Sequence, residues 1–146
     1  MDKDLQIVVM GNVASRNFFP KDINIKNLGF ISSPEELSKA YSNVDLYIIP
    51  SIEDNLPNTI IESHMCGTPV VGFKKAGVAN MIKDGFNGVL VDEIDGKGLA
   101  NGIIRALDMI NNKAFLHDEI LNSSKSYYSE KKVVELYNDI YKSHYS

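Results

Sequence analysis

The stretch Val44-Asp45-Leu46-Tyr47-Ile48-Ile49-Pro50-Ser51-Ile52-Glu53-Asp54-Asn55-Leu56-Pro57-Asn58-Thr59-Ile60-Ile61-Glu62-Ser63-His64-Met65-Cys66-Gly67-Thr68-Pro69-Val70-Val71 reads as a strand, a polar loop, a helix and a second strand. The apolar run ends at Pro50, and a helix is expected to begin near Pro57. It should stop at Gly67, because glycine suits the left-handed position just past a helix and Pro69 prevents continuation. In open α/β sheets ligands bind outside the carboxyl edge of the strands, where this loop would lie. The helix start offers unpaired N–H groups and a positive dipole end, both suited to a phosphate. Asp54 in the loop and Glu62 on the helix bracket its first turns. Ionised carboxylates only accept hydrogen bonds, which suits sugar and ribose hydroxyls.

Outward from this stretch the pattern repeats. Further apolar, β-branched runs occupy residues 5–10, 25–31, 70–73 and 89–91. They are mostly continuous and not alternating, as expected for parallel strands covered on both faces. Ser33-Pro34-Glu35-Glu36 combines an N-cap serine, proline at the first helical position and a glutamate placed for a capping box. Leu37, Ala40, Tyr41 and Val44 follow at helical spacing. Leu99, Ile103, Leu107 and Ile110 mark another amphipathic helix, and a short one is expected between residues 111 and 128. A last helix should open at Ser129, with Val133, Tyr137, Ile140, Tyr141 and His144 on one stripe. Strands alternating with helices predict an α/β, doubly wound, Rossmann-like parallel sheet of about five strands with C-terminal helices. The expected strand order is 2-1-3-4-5, with residues 5–10 beside residues 44–49.

Composition narrows the function classes. At 146 residues the chain suits one compact domain. Net charge is −4, with Arg16 and Arg105 as its arginines, whereas nucleic-acid binders usually carry a basic patch. Cys66, the one cysteine, cannot form an internal disulfide, which fits a reducing compartment. No apolar run approaches the roughly 20 residues of a membrane span. The expectation is a cytoplasmic protein that in full-length form could lie peripherally on the membrane, with no nucleic-acid partner and no transmembrane segment.

The motif resembles the signature of the group 1 family of retaining GT-B glycosyltransferases. There a Pro-Ser precedes a loop acidic residue, a Glu follows eight positions later, and a small residue precedes Gly-x-Pro-Val-Val. Asp54 and Glu62 stand at that spacing. The likeness extends through Asn27-Leu28-Gly29-Phe30, Phe73, Asn87-Gly88-Val89-Leu90-Val91 and Tyr128-Ser129, and so covers most of the chain. The resemblance implies a single C-terminal, donor-binding domain over residues 1–146. The N-terminal acceptor-binding domain and the first strand-helix unit, which carries an Arg and a Lys on the diphosphate, would lie outside it. It implies a nucleotide-diphosphate sugar as donor substrate, no other cofactor and no metal. Asp54, Asn55 and Leu56 would meet the donor sugar, backbone N–H groups of Asn58 and Thr59 the diphosphate, and Glu62 the ribose. No catalytic residue is assigned within the chain. Three positions depart from the pattern. Asp54 is one methylene shorter than the usual Glu, Asn55-Leu56-Pro57 replaces a glycine-containing loop, and Asn80 stands where an acidic residue is common.

Plainer readings stand beside these. Without the motif, Asp54 and Glu62 are ordinary solvated carboxylates, and Asp54 or Asn55 could simply cap the helix. His64 and Cys66 lie two apart on a helix, so their side chains diverge and a nucleophile-base pair is disfavoured. Lys74 and Lys75 read as a solvated pair. A flavodoxin-like phosphoacceptor needs an acidic pair after the first strand, where Met10-Gly11-Asn12 stands. A dinucleotide oxidoreductase needs G-x-G-x-x-G, which Gly11-Asn12-Val13-Ala14-Ser15-Arg16 lacks. No Asp-x-Asp follows any expected strand, which disfavours a metal-dependent transferase. A sugar-nucleotide epimerase of the same architecture remains an alternative that turnover would separate.

Overall fold

The computed structural model describes residues 5–11, 21, 23–129 and 131–132. The chain divides into two compact units, Met1–Ala40 and Tyr41–Ser146. In the first, strand β1 (Gln6–Met10) pairs in parallel with β2 (Asn24–Gly29), with Gln6 opposite Asn24 and a register shift at Val9/Met10. No residue of either strand is fully buried. Helix α1 (Pro34–Ser42) then runs across the division. The Ser33 hydroxyl accepts from the Glu36 N–H at 3.4 Å but gives its own proton to Glu35, at 2.7 Å. The cap is therefore made, although by serine more than by a reciprocal glutamate.

The second unit holds β3 (Tyr47–Ile49), α2 (Asn58–Met65), β4 (Val70–Phe73), α3 (Ala76–Met81), β5 (Gly88–Val91), α4 (Gly96–Asn111) and α5 (His117–Tyr127). Its sheet has order β3-β4-β5, all parallel, with Tyr47 opposite Val70 and Val70 opposite Gly88. β4 is buried throughout, and its side chains alternate between two cores. Val70 packs with Ile49, Ile60, Val78, Met81 and Ile82, while Val71 and Phe73 pack with Val89, Val91 and Ala106. Helices α2 and α3 thus cover one face and α4 the other, the doubly wound arrangement expected for continuous apolar strands. Each fully buried valine contributes roughly 1.5–3 kcal/mol.

The strands form a two-stranded ladder, β1-β2, and a three-stranded one, β3-β4-β5, each in the expected order. One expectation changes: β3 is shorter than residues 44–49, because the Val44 N–H bonds the Tyr41 carbonyl at 3.5 Å as the chain turns out of α1. The short helix expected between residues 111 and 128 is α5. The stripe from Val133 to His144, and Asn12 through Arg16, lie outside the described residues. Among the described residues no helix is long and apolar enough to cross a membrane.

Candidate functional site

The loop after β3 leads into α2, whose N-cap is Pro57, at φ −67° and ψ 108°, with no side chain bonded to it. Asp54 and Asn55 therefore do not cap this helix, contrary to the plainer reading. Proline's missing N–H removes none of the helix's own donors, because the unpaired ones begin at the next residue. Ile60 donates back to the Pro57 carbonyl at 3.0 Å, which leaves the N–H groups of Asn58 and Thr59 at the open end. The first turn has no acidic residue to occupy them. An anion there would meet two backbone donors and the positive end of the helix dipole.

The loop itself is pinned from α3. The Gly77 N–H donates to the Asp54 carbonyl at 3.0 Å. A Cβ at Gly77 would overlap the Asn55 carbonyl and come within 2.9 Å of that of Asp54. Only glycine lets α3 approach the loop backbone this closely. The residue before it, Ala76, adopts φ +48°. A non-glycine residue in that conformation costs about 1–2 kcal/mol, so the turn into α3 is strained beside the loop it holds. Asn55 and Leu56 stand exposed, Leu56 at 62%.

One turn along α2, the half-buried Glu62 meets Tyr41, whose hydroxyl donates to Oε2 at 3.1 Å. Tyr41 is 2% exposed. Its ring stands edge-on to Tyr47, with centroids 5.4 Å apart. Burial pushes the Tyr47 phenol up. The charges of Glu62 and Asp54 act the same way, and a bond with Thr59 opposes them. Tyr47 therefore stays a neutral phenol, in the field of both carboxylates. Tyr41 is raised by burial first and then by Tyr47 and Glu62, so it too remains a donor.

Other residues singled out in the sequence point elsewhere. His64 is buried and bonds the Asn87 carbonyl through Nε2 at 2.9 Å. Cys66 is the C-cap of α2. The His117 ring packs against Gly67, whose φ of +72° is the left-handed turn expected there. Lys74 pairs with Asp92 at 3.1 Å on the surface. Asn80 is exposed on α3. Asn87 closes a turn before β5, with its N–H on the Lys83 carbonyl at 3.2 Å, and a Cβ at Gly88 would overlap the Val70 carbonyl. Sequence reasoning missed Tyr41 and Tyr47. The only available signal was a hydroxyl-bearing ring at an apolar position in each of two neighbouring elements.

The family model described as glycosyl transferases group 1 matches residues 1–109. The chain is similar to D-inositol 3-phosphate glycosyltransferase of Acidothermus cellulolyticus, at 36% identity over 75 residues, covering 51% of this chain and 17% of that protein. Among solved structures it is similar to a lipopolysaccharide outer core galactosyltransferase, WaaB. The TM-score is 0.73 at 22% identity, covering 94% of this chain and 41% of that one. HepE of Anabaena in complex with UDP-glucose gives a TM-score of 0.69 at 19% identity, covering 93% and 40%. At those identities the structural likeness is one of fold, and the chain spans less than half the length of each of these relatives. With the family model matched over residues 1–109, the chain belongs to the group 1 glycosyl transferases.

Proposed function

We propose that this chain is the donor half of a GT-B glycosyltransferase and binds a nucleotide-diphosphate sugar at the start of α2. The carrying observation is the uncapped helix end at Asn58 and Thr59, beside a loop pinned at Gly77 and one turn from a held Glu62. In this reading the Asn58 and Thr59 N–H groups bind the diphosphate, and Glu62 accepts from the ribose. Asp54 accepts from the donor sugar, flanked by Asn55 and Leu56. Transfer breaks the bond between the anomeric carbon and the diphosphate oxygen, and negative charge then grows on the leaving diphosphate. Preorganised N–H donors and a helix dipole stabilise that charge. The full protein transfers a hexosyl group, with retention and without a metal, to a saccharide or lipid acceptor. An N-terminal domain holds that acceptor, and an Arg and a Lys outside this chain complete the diphosphate site. The protein acts in the cytoplasm. The similar fold of HepE, known in complex with UDP-glucose, supports the donor assignment.

An NMR titration of the isolated chain with uridine and guanosine diphosphates tests the site. Amide shifts should centre on residues 55–62 and 77–80, with a dissociation constant near or above the millimolar range, roughly −4 kcal/mol or weaker. Weak binding is expected because charge-assisted bonds to the diphosphate would come from elsewhere. Micromolar affinity, or shifts confined to the segment after Met10, would place the ligand at another site. In the full-length enzyme, turnover should survive excess chelator and retain the anomeric configuration. Loss of turnover restored by manganese would overturn the metal-free mechanism.

A further inference from the structure

Glu62 and Tyr41 are joined by more than proximity. The Tyr41 carbonyl accepts from the Thr68 hydroxyl at 2.8 Å. Thr68 in turn accepts at its carbonyl from the Ser63 hydroxyl and donates its N–H to the Ser63 carbonyl, both at 3.0 Å. Ser63 is the neighbour of Glu62 on α2, so the phenol and the carboxylate hang from one closed set of bonds. The Tyr41 side chain is buried and stands against the edge-on Tyr47 ring. A free glutamate loses about 1.5–2 kcal/mol of rotamer freedom when a ligand fixes it. Here the Tyr41 hydroxyl has already fixed it. That bond occupies one lone pair of Oε2, while Oε1 accepts none of the described hydrogen bonds. A carboxylate has about four lone-pair sites, so one oxygen can be held by protein while the group still accepts from a vicinal diol.

We propose that Tyr41 is a positioning residue that orients the Glu62 carboxylate toward the 2′,3′-diol of a ribonucleotide and so favours ribonucleotides over their deoxy counterparts. The proposal rests on the donor-site reading above. Its selectivity follows from geometry. A ligand without the diol leaves the oriented carboxylate unused, whereas the phosphate contacts at Asn58 and Thr59 are unaffected.

The test titrates the chain and its Tyr41→Phe variant with three probes: a ribonucleoside diphosphate, its 2′,3′-dideoxy analogue and inorganic pyrophosphate. Phenylalanine keeps the buried ring and removes only the hydroxyl. The variant should bind the ribonucleotide about fivefold more weakly, the loss expected of one hydrogen bond to a charged acceptor used indirectly. The other two probes should change by less than about twofold. Adding Tyr41→Phe to Glu62→Gln should produce no further loss, because the two groups act as one unit. Equal weakening of all three probes would show a merely structural role and overturn the proposal, as would unchanged ribonucleotide binding. A wild-type chain that gives no shifts at residues 55–62 with the ribonucleotide overturns the site reading itself and the proposal with it. Where Tyr41→Phe disturbs the fold, Tyr47→Phe and a Tyr41→Phe,Glu62→Gln double variant are compared with Glu62→Gln alone: the double variant must discriminate ribonucleotide from dideoxy analogue no less than Glu62→Gln does, and a further ribose-selective loss in it overturns the proposal.

Discussion

The two ends of α2 are built to opposite purposes. At its C-terminal end Ser63 and His64 are buried, and Gly67 turns the chain with its N–H on the His64 carbonyl at 2.9 Å. Every buried side-chain donor and acceptor among the described residues has a partner. At the N-terminal end no side chain caps the helix, Asn58 is exposed, and the preceding Leu56 is solvated. One eight-residue helix thus joins a saturated anchor to an end with unused donors. Unpaired N–H groups cost little where water reaches them and a great deal where it does not. The helix can therefore leave its binding capacity free at one end because the other end is fully bonded. On the donor-site reading proposed above, folding and ligand recognition fall on different turns, and substitutions should separate them.

The largest effect is expected at the anchor. Truncation in His64→Ala removes a buried ring and its bond to Asn87, which should lower stability by about 2–5 kcal/mol. Acid should act through the same group. Burial pushes His64 down from its ordinary 6.5 to about 4, with the Asn87 carbonyl opposing in part. The unfolded chain therefore takes up a proton before the folded one. Stability is complete above about pH 6.5 and falls as pH drops toward 4, by about 3 kcal/mol in all. Asp84, held below its ordinary 3.8 mainly by Arg105, acts in the same direction but at lower pH. Urea midpoints at pH 7.5 and 4.5 should differ for the wild type and much less for His64→Ala. Equal pH dependence in the two proteins would break the assignment of the anchor to His64.

A smaller effect on folding, with a larger one on binding, is expected at Gly77. Its added methyl in Gly77→Ala must displace the Asn55 carbonyl and stretch the 3.0 Å bond to Asp54. The loop is exposed, so it can yield, and stability should fall by only about 1–2 kcal/mol. Affinity for the intact nucleotide sugar should fall about tenfold, because the loop that meets the sugar no longer stands against the open helix end. Unimpaired binding in a folded Gly77→Ala chain would show that the loop's position is irrelevant to the site.

The anchor was more legible in the sequence than the open end. Residues 70–73 were readable as a strand to the residue, because a buried parallel strand needs a continuous β-branched run. Gly67 and Pro69 likewise announced the helix stop through constraints local to their own backbones. Asp54 and Glu62 stood out by spacing and by residue type. Helix α3 was not anticipated, since it spans only Ala76–Met81 and enters through a left-handed alanine that no propensity suggests. The roles of Tyr41 and Tyr47 were hidden for a related reason. Each satisfied the apolar pattern of its own element, and only tertiary packing brings the Tyr41 hydroxyl to Glu62 with Tyr47 edge-on beside it.

The finest division lies within the open end, between the two carboxylates. Glu62 is held by Tyr41, whereas no described side-chain bond holds the Asp54 carboxylate, and only its backbone is fixed, by Gly77. A held carboxylate near the helix suits a constant part of the ligand, the ribose. One on an exposed loop suits the variable part, the sugar. In the full-length enzyme Glu62→Gln should weaken free nucleotide and intact donor alike, by about 1.5–3 kcal/mol, since both contain ribose. Asp54→Asn should change free-nucleotide binding by no more than about 0.5 kcal/mol, the usual range for a surface substitution away from a contact. The same change should weaken the intact nucleotide sugar by about 1.5–3 kcal/mol, because only that ligand brings hydroxyls to the loop. Calorimetric titration of both variants with nucleoside diphosphate and with nucleotide sugar yields the four values needed. The assignment requires a difference between ligands for Asp54 and none for Glu62. Losses of equal size for both variants on the free nucleotide would mean that the two carboxylates share one role and that the loop is part of the ribose site.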